Sequence, residues 1–367
     1  LDQQGEEERV NRLQVVVGGQ YGSEAKGAVA GYLAAECGTL VAIRVAGPNA
    51  GHSVVDPRSG TKYALRQIPV AAVTNPEAIL VIAAGSEIEL AVLRAEVEQL
   101  ENDGIEVTNR LRIDPAATVL TPAHHGQEHD AELTARIGST GKGIGAARAD
   151  RIMRTAQTVR DYPEPFTRYG KVTSAVGVIE RLRHKPRLTV QIEGTQGYGL
   201  GLHHPNYPQV TSSDCRAIDF MAMAGVSPWE FNDLEIWIVY RPYPIRVAGN
   251  SGPMYAETTW EELGLPPEYT TVTKKIRRVG HWDEDLARGA YRANGGGSQW
   301  GPVHLALTMA DQMDPNIAGT TNAEALLASP KVVGMMDLVA HATGDLPEIV
   351  TTSDRTWVDL RHTAVLD

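Results

Sequence analysis

A single lysine set among glycines carries the first chemical signal in this chain. The run Val15-Val16-Val17-Gly18-Gly19-Gln20-Tyr21-Gly22-Ser23-Glu24-Ala25-Lys26-Gly27 joins three valines to a glycine-rich turn, and an alanine-rich stretch from Ala28 to Ala35 follows. The valines read as a buried strand and the alanine-rich stretch as a helix. A strand, a glycine turn and a helix N-terminus together aim backbone N–H groups and a positive dipole end at one point, which suits a phosphate. Lys26 adds a point charge there. The run departs from a Walker A loop, which closes on Gly-Lys-Ser/Thr, because Ala25 precedes the lysine and Gly27 follows it. The hydroxyl that would hold Mg²⁺ is missing, so other groups must hold any metal.

Three further segments combine flexible backbone with polar side chains. They are Arg44-Val45-Ala46-Gly47-Pro48-Asn49-Ala50-Gly51-His52-Ser53, Gly138-Ser139-Thr140-Gly141-Lys142-Gly143-Ile144-Gly145 and Glu193-Gly194-Thr195-Gln196-Gly197. The second is followed by Arg148, Arg151 and Arg154, and the third leads to Tyr207-Pro208-Gln209-Val210-Thr211-Ser212-Ser213-Asp214. Backbone amides with Ser/Thr hydroxyls suit phosphate and amide-type bases better than apolar ligands.

Positioning these segments requires a scaffold, and its elements recur along the chain. Strand-like runs fall at Val15–Val17, Leu40–Arg44, Ile79–Ala83, Leu188–Glu193, Ile236–Tyr240 and Lys331–Val333. Helical patterns lie between several of them, such as Ile88–Leu100 with Leu90, Leu93, Val97 and Leu100 on one face. The alternation implies an α/β fold, a mainly parallel central β-sheet flanked by helices, with ligand loops where strands end. No linker or repeat interrupts it, so residues 13–367 read as a single catalytic domain with large insertions. The charged segment Leu1–Arg12 reads as a flexible arm.

Composition narrows the partners. With 367 residues and 42 % hydrophobic content the chain can bury a large core. No apolar run reaches the roughly 20 residues of a membrane span, and no signal peptide is visible. A net charge of −11 argues against a nucleic-acid surface. Cys37 and Cys215 lack metal spacing and read as buried thiols of a cytoplasmic protein.

Taken together, the four glycine-rich segments resemble the adenylosuccinate synthetases, from about Val15 to Arg355. That family reads Gly-Asp-Glu-Gly-Lys-Gly, Asn-Ala-Gly-His-Thr, Gly-Thr-Thr-Gly-Arg-Gly-Ile-Gly-Pro, Glu-Gly-Ala-Gln-Gly and Tyr-Pro-Tyr-Val-Thr-Ser-Ser. The resemblance implies a fold related to the P-loop nucleoside triphosphatases and a two-step, Mg²⁺-dependent ligation by a homodimer. The γ-phosphoryl of a nucleoside triphosphate passes to O6 of a purine monophosphate, and the amine of L-aspartate then displaces it.

By the same resemblance, Gly22, Ser23, Glu24, Ala25, Lys26, Gly27, Gly51, His52, Ser53, Asp311, Thr352 and Ser353 fall at the donor nucleotide. Ser23, Asn49, Ala50, Ser139, Thr140, Gln196, Thr211, Arg246 and Val247 fall at the purine monophosphate, joined by Arg154 from the neighbouring subunit. Thr273, Lys275 and Arg277 fall at aspartate, with Lys275 replacing an arginine and losing its bidentate fork. Ser23, Lys26, His52 and Gln196 match catalytic positions, His52 stabilising charge on the oxygen and the transferring phosphoryl group. Ser23 and the Gly51 carbonyl fall at Mg²⁺.

Ser23 is the main departure, since the family has an aspartate there to take the N1 proton. A serine is a poor base, but it is shorter, and its oxygen can accept a hydrogen bond from an amino group on C2. Guanine has that group and hypoxanthine does not. The chain is therefore similar to the phage branch that joins aspartate to dGMP to make N6-succino-2-amino-2'-deoxyadenylate for diaminopurine DNA. Proton removal then falls to water, Glu24 or the phosphorylated intermediate. Thr308-Met309-Ala310-Asp311 replaces the Thr-Lys-Leu-Asp that reads guanine in GTP, and Val350-Thr351-Thr352-Ser353-Asp354-Arg355 replaces a Ser-Thr-Gly-Pro-Asp-Arg run. These changes favour ATP or dATP as donor. Two alternatives stand beside this reading: an ordinary synthetase acting on IMP with GTP, and a non-catalytic nucleotide-binding regulatory protein.

Overall fold

The computed structural model describes residues 11–270, 275–298, 303–361 and 363. Ten strands form one sheet in the order Trp357–Asp359, Ile349–Thr351, Val303–Leu307, Asp233–Tyr240, Arg12–Gly18, Thr189–Glu193, Leu40–Arg44, Ile79–Ile82, Leu111–Ile113 and Lys171–Val172. Every neighbouring pair is parallel except Ile349–Thr351 with Trp357–Asp359, which is antiparallel at the edge. The mainly parallel α/β sheet expected from the sequence is thus present.

Alternation along the central strands splits the core between two faces. Val15, Val17, Ile43, Ile192 and Ile238 pack on one side with helices Ala175–Leu182, Ala217–Ala224, Glu284–Ala293 and Pro330–Thr343. Val16, Leu40, Ala42, Trp237 and Val239 pack on the other with helices Lys26–Ala35 and Leu90–Asn102. Both faces are covered, which explains why strands such as Val15–Val17 read as continuous hydrophobic runs. Each large aliphatic side chain buried this way contributes roughly 1.5–3 kcal/mol.

Several boundaries differ from the sequence reading, each for a local reason. Arg12, placed in the arm, opens the first strand and pairs with both Thr189 and Asp233; residues 1–10 lie outside the described residues. Lys331–Val333 is not a strand but the first turn of helix Pro330–Thr343. Ser329 caps it by accepting from the Val332 N–H, and Pro330 starts it, which outweighs the β-branched pair Val332-Val333. The strands Val303–Leu307 and Ile349–Thr351, each paired on both sides, supply the sheet positions instead. The helix expected from Ile88 begins at Leu90; Leu93, Val97 and Leu100 are buried as expected, whereas Leu90 is half-buried. Cys215 is buried, but Cys37 is only half-buried. Among the described residues no helix is long and apolar enough to cross a membrane.

The loops after Arg12–Gly18, Leu40–Arg44 and Thr189–Glu193 leave adjacent strand ends and converge, as expected at the carboxyl edge of a parallel sheet. A hairpin of His52–Val55 with Lys62–Leu65 covers the start of helix Lys26–Ala35.

Candidate active site

The lysine loop folds back on its own charges. Lys26 is buried, and its Nζ donates to the Gly22 carbonyl at 3.0 Å and to Glu24 Oε2 at 3.1 Å. Glu24 Oε1 accepts from the Gly22 N–H at 2.6 Å. Gly22 has φ +97° and a Cβ there would lie 2.8 Å from the Gln196 Cα, so only glycine fits. Ala25, at the helix N-cap, has φ 58°, and Gln196 has φ 61°. Two non-glycine residues in the left-handed region at one site are the kind of local strain that marks a functional loop.

His52 sits against the same helix. A Cβ on Gly27 would lie 2.6 Å from the His52 Cβ, so glycine at 27 permits this approach. The His52 Nδ1 lies 2.5 Å from Glu193 Oε1 and 2.5 Å from Arg44 Nη1. Nδ1 cannot both donate and accept. Arg44 already has Glu193 and the Ala50 carbonyl as acceptors, so the consistent assignment has Nδ1–H donating to Glu193. That leaves Nε2 for a ligand. Burial, reinforced by the Arg44 guanidinium, pulls the His52 imidazole down to about 3. Burial alone would push the Glu193 carboxyl up, but Arg44 and the His52 hydrogen bond hold it below its ordinary value. In the free protein this is a neutral imidazole on an ionised carboxylate.

Two cavities meet at this point. The first, about 630 Å³, is lined by Ser23, Asn49, Ala50, Ser139, Thr140, Gln196, Thr211, Arg246 and Val247, all expected at the purine monophosphate. Lys275 and Arg277 also line it; Thr273 lies outside the described residues. The second, about 450 Å³, is lined by Gly22, Ser23, Ala25, Lys26, Gly27, Gly51, His52, Ser53, Asp311 and Ser353, all expected at the donor. Gly22, Ser23, Gly51, His52 and Arg277 line both. Ser23 Oγ accepts from Arg277 Nη1 at 2.6 Å, so this arginine, expected at aspartate, reaches the shared wall.

Three expected site residues fall elsewhere. Thr352 is fully buried and lines neither cavity; its hydroxyl donates to the Thr320 carbonyl at 2.7 Å, while Thr351 and Ser353 face the donor cavity. Glu24 also lines neither, and its carboxylate is held by Lys26 and the Gly22 N–H. Arg154 is exposed, with φ 64°, and its Nη1 donates to the Ile152 carbonyl at 2.6 Å. Sequence reasoning missed Arg44 and Glu193 as the support of His52, and Arg241, Glu268 and Gln312 beside Ser23. The buried charge in the strand Leu40–Arg44 was the one available hint, since an unpaired arginine is not tolerated inside a sheet.

An α/β sheet whose lysine loop and buried histidine sit between two joined cavities defines a class: an enzyme that brings a nucleotide and a second substrate together at one wall. Comparison with known proteins is specific about which class. The family model described as Adenylosuccinate synthetase matches residues 15–182 and 169–315. Adenylosuccinate synthetase of Thermococcus sibiricus is 36 % identical over 84 % of this chain and 86 % of its own length. That of Methanocaldococcus jannaschii is 35 % identical over 95 % and 96 %. Among solved structures, cyanophage S-2L succinoaminodeoxyadenylate synthetase, bound to dGMP and dATP as an energy donor, superposes with a TM-score of 0.77 at 28 % identity, covering 96 % of each chain. Adenylosuccinate synthetase from Plasmodium falciparum shares the fold, with a TM-score of 0.75 at 17 % identity. The chain belongs to the adenylosuccinate synthetase family, and it is a carbon–nitrogen ligase of that type.

Proposed function

We propose that this ligase joins L-aspartate to C6 of dGMP, with ATP or dATP as phosphoryl donor, giving N6-succino-2-amino-2'-deoxyadenylate, a nucleoside diphosphate and phosphate. The acceptor occupies the larger cavity and the donor the smaller, so that the γ-phosphoryl and O6 meet between Ser23, Gly51 and His52. The γ-phosphoryl group breaks from the donor's diphosphate and bonds to O6 as the N1 proton is lost to water; the aspartate amine then bonds to C6 as phosphate leaves with that oxygen, and the amine sheds its protons to water. Lys26 and the amides of Gly22–Gly27 hold the donor phosphates. His52 is neutral with Nε2 bare in the free protein; it stabilises the oxygen on which charge develops by taking a proton on Nε2 once the anionic phosphates are bound beside it, while Glu193 holds Nδ1–H. Arg277 and Lys275 hold the aspartate carboxylates.

One observation carries the choice of dGMP. Ser23, which stands where the resembling family has an aspartate, lines both cavities and presents a hydroxyl already oriented by Arg277. Its remaining lone pair suits the 2-amino group of guanine, and no carboxylate among the described residues lines the shared wall to reject it. The structural likeness to the cyanophage enzyme supports this reading. Asp311 favours a different donor: its half-buried carboxylate, raised by burial, would accept well from guanine's N1–H and 2-amino group. With the 35–36 % identity to archaeal synthetases, that supports the second reading, IMP with GTP.

The Gly51 carbonyl at the shared wall would hold a Mg²⁺ together with the donor phosphates, since a small hard cation needs few protein groups; Ser23, which the resemblance also places at the metal, would not, because its hydroxyl is taken by Arg277 and the 2-amino group and its carbonyl by Arg241. Bound there, Mg²⁺ supplies charge neutralisation to the transferring phosphoryl group. A homodimer fits the exposed Arg154 and its neighbours Ile152 and Met153, which are 67 % and 70 % exposed. The reaction belongs in the cytoplasm, that of the host if a phage encodes the chain.

The test is phosphate release from purified protein with aspartate and each pairing of dGMP, GMP or IMP with ATP, dATP or GTP, the product identified by mass spectrometry. Turnover on dGMP with ATP or dATP is expected. Turnover on IMP with GTP alone would replace this reading by the second, and binding without turnover on any pair would make the chain a nucleotide-binding regulator.

A further inference from the structure

Behind the shared wall lies a polar cluster that the proposed reaction does not use. Arg241 follows the strand Asp233–Tyr240 and is 1 % exposed. Its main chain is fixed on both sides by Gln20, whose Nε2 donates to the Arg241 carbonyl at 3.0 Å and whose Oε1 accepts from the Arg241 N–H at 3.1 Å. From this fixed post the guanidinium reaches three groups. Nη1 donates to the Ser23 carbonyl at 3.1 Å and to Glu268 Oε2 at 3.2 Å. Nη2 donates to Glu268 Oε1 at 2.5 Å and to Gln312 Oε1 at 3.2 Å.

Glu268 connects this post to both substrate sides. Its carbonyl accepts from the Arg277 N–H at 2.8 Å, and the Arg277 side chain donates to Ser23 Oγ and, through Nε, to the Tyr269 carbonyl at 3.2 Å. Its Oε1 accepts from Gln312 Nε2 at 3.1 Å. Gln312 closes the 3₁₀ turn Ala310–Gln312, and Met309, Asp311, Gln312 and Glu268 all line the donor cavity. A base seated on that turn therefore bears on the residue that shares Glu268 Oε1 with Arg241.

We infer that Glu268, held by Arg241 and Gln312, is a positioning residue that ties occupation of the donor-base end to the placement of Arg277 at the aspartate side. The inference rests on assigning the smaller cavity to the donor. A purely structural ion pair would need neither Gln312 nor a carboxylate facing the cavity, and the Glu268 side chain is 28 % exposed there. The link is short and made of discrete partners, the arrangement through which two sites bias each other.

The test uses full-length wild type, Glu268→Gln and Gln312→Ala. Hydrogen exchange at the Arg277 amide is followed with and without the Mg²⁺ complex of a non-hydrolysable ATP analogue, alongside steady-state kinetics. The analogue, saturating in each case, should slow exchange in wild type and not in either variant. The KM for aspartate should rise about tenfold in each variant and no further in the double variant, with the acceptor KM held within about twofold. Slowing that persists in Gln312→Ala, or is absent from nucleotide-bound wild type, would overturn the link, as would additive effects in the double variant. Gln312→Ala removes a half-buried side chain and leaves the Arg241–Glu268 ion pair in place, so misfolding of Glu268→Gln leaves the test intact. If wild type turns over no acceptor, the proposed function fails; nucleotide-dependent slowing that the variants lose would still support the link.

Discussion

Glu193 is fully buried and its carboxylate is surrounded by donors: the His52 Nδ1–H and Arg44 at Oε1, and the Val70 N–H at Oε2 at 2.9 Å. Glutamine at 193 keeps the shape but replaces one oxygen by an NH₂ that must face a donor, whichever way the amide turns. It also leaves the Arg44 guanidinium, 0 % exposed, without its counter-charge. Removing one partner of a buried pair costs about 3–5 kcal/mol, which for a chain of this size lowers the melting temperature by roughly 4–6 °C. His52 loses the acceptor that fixes its tautomer, and a mis-set catalytic imidazole costs about 10²–10⁴-fold in rate. Phosphate release should therefore fall by that factor in kcat, measured well below the melting temperature, while donor affinity by calorimetry changes little because the lysine loop is untouched. A kcat within about threefold of wild type would refute the role given to Glu193.

Gly27→Ala should place a Cβ 2.6 Å from the His52 Cβ and 3.0 Å from the Ser53 carbonyl; about 1–3 kcal/mol of overpacking should appear in thermal unfolding together with a lower kcat. Met309→Lys, beside Asp311 on the donor cavity wall, should raise the GTP-to-ATP ratio of kcat/KM by about 10- to 100-fold, the worth of one hydrogen bond to a charged group. Ser23→Asp should move acceptor preference from dGMP toward IMP by a similar factor, read from competing acceptors in one reaction. On the proposed homodimer, Arg154→Ala should raise the acceptor KM without changing the sedimentation coefficient, checked by kinetics with sedimentation.

Much of the scaffold was legible in the chain because parallel strands buried on both faces announce themselves as short apolar runs, as at Val15–Val17 and Leu40–Arg44. The lysine loop and the Asn49-Ala50-Gly51-His52 segment were legible for a related reason, since binding through backbone and adjacent side chains is a local property. Legibility failed where the controlling contact is distant. His52 depends on Glu193, and Ser23 depends on Arg241 and Arg277, groups brought together only by the sheet order. Thr352 shows the opposite error: one residue of a site segment faces the cavity and the next is turned into the core. At Lys331–Val333, a cap and a proline just upstream decided the structure against the β-branched residues themselves.

The most direct measurement is a crystal structure of the protein with dGMP and a non-hydrolysable ATP analogue. The account predicts dGMP in the larger cavity with its 2-amino nitrogen within hydrogen-bond distance of Ser23 Oγ and its O6 turned toward His52. A base seated with C2 directed away from Ser23, or dGMP lodged in the smaller cavity, would contradict it.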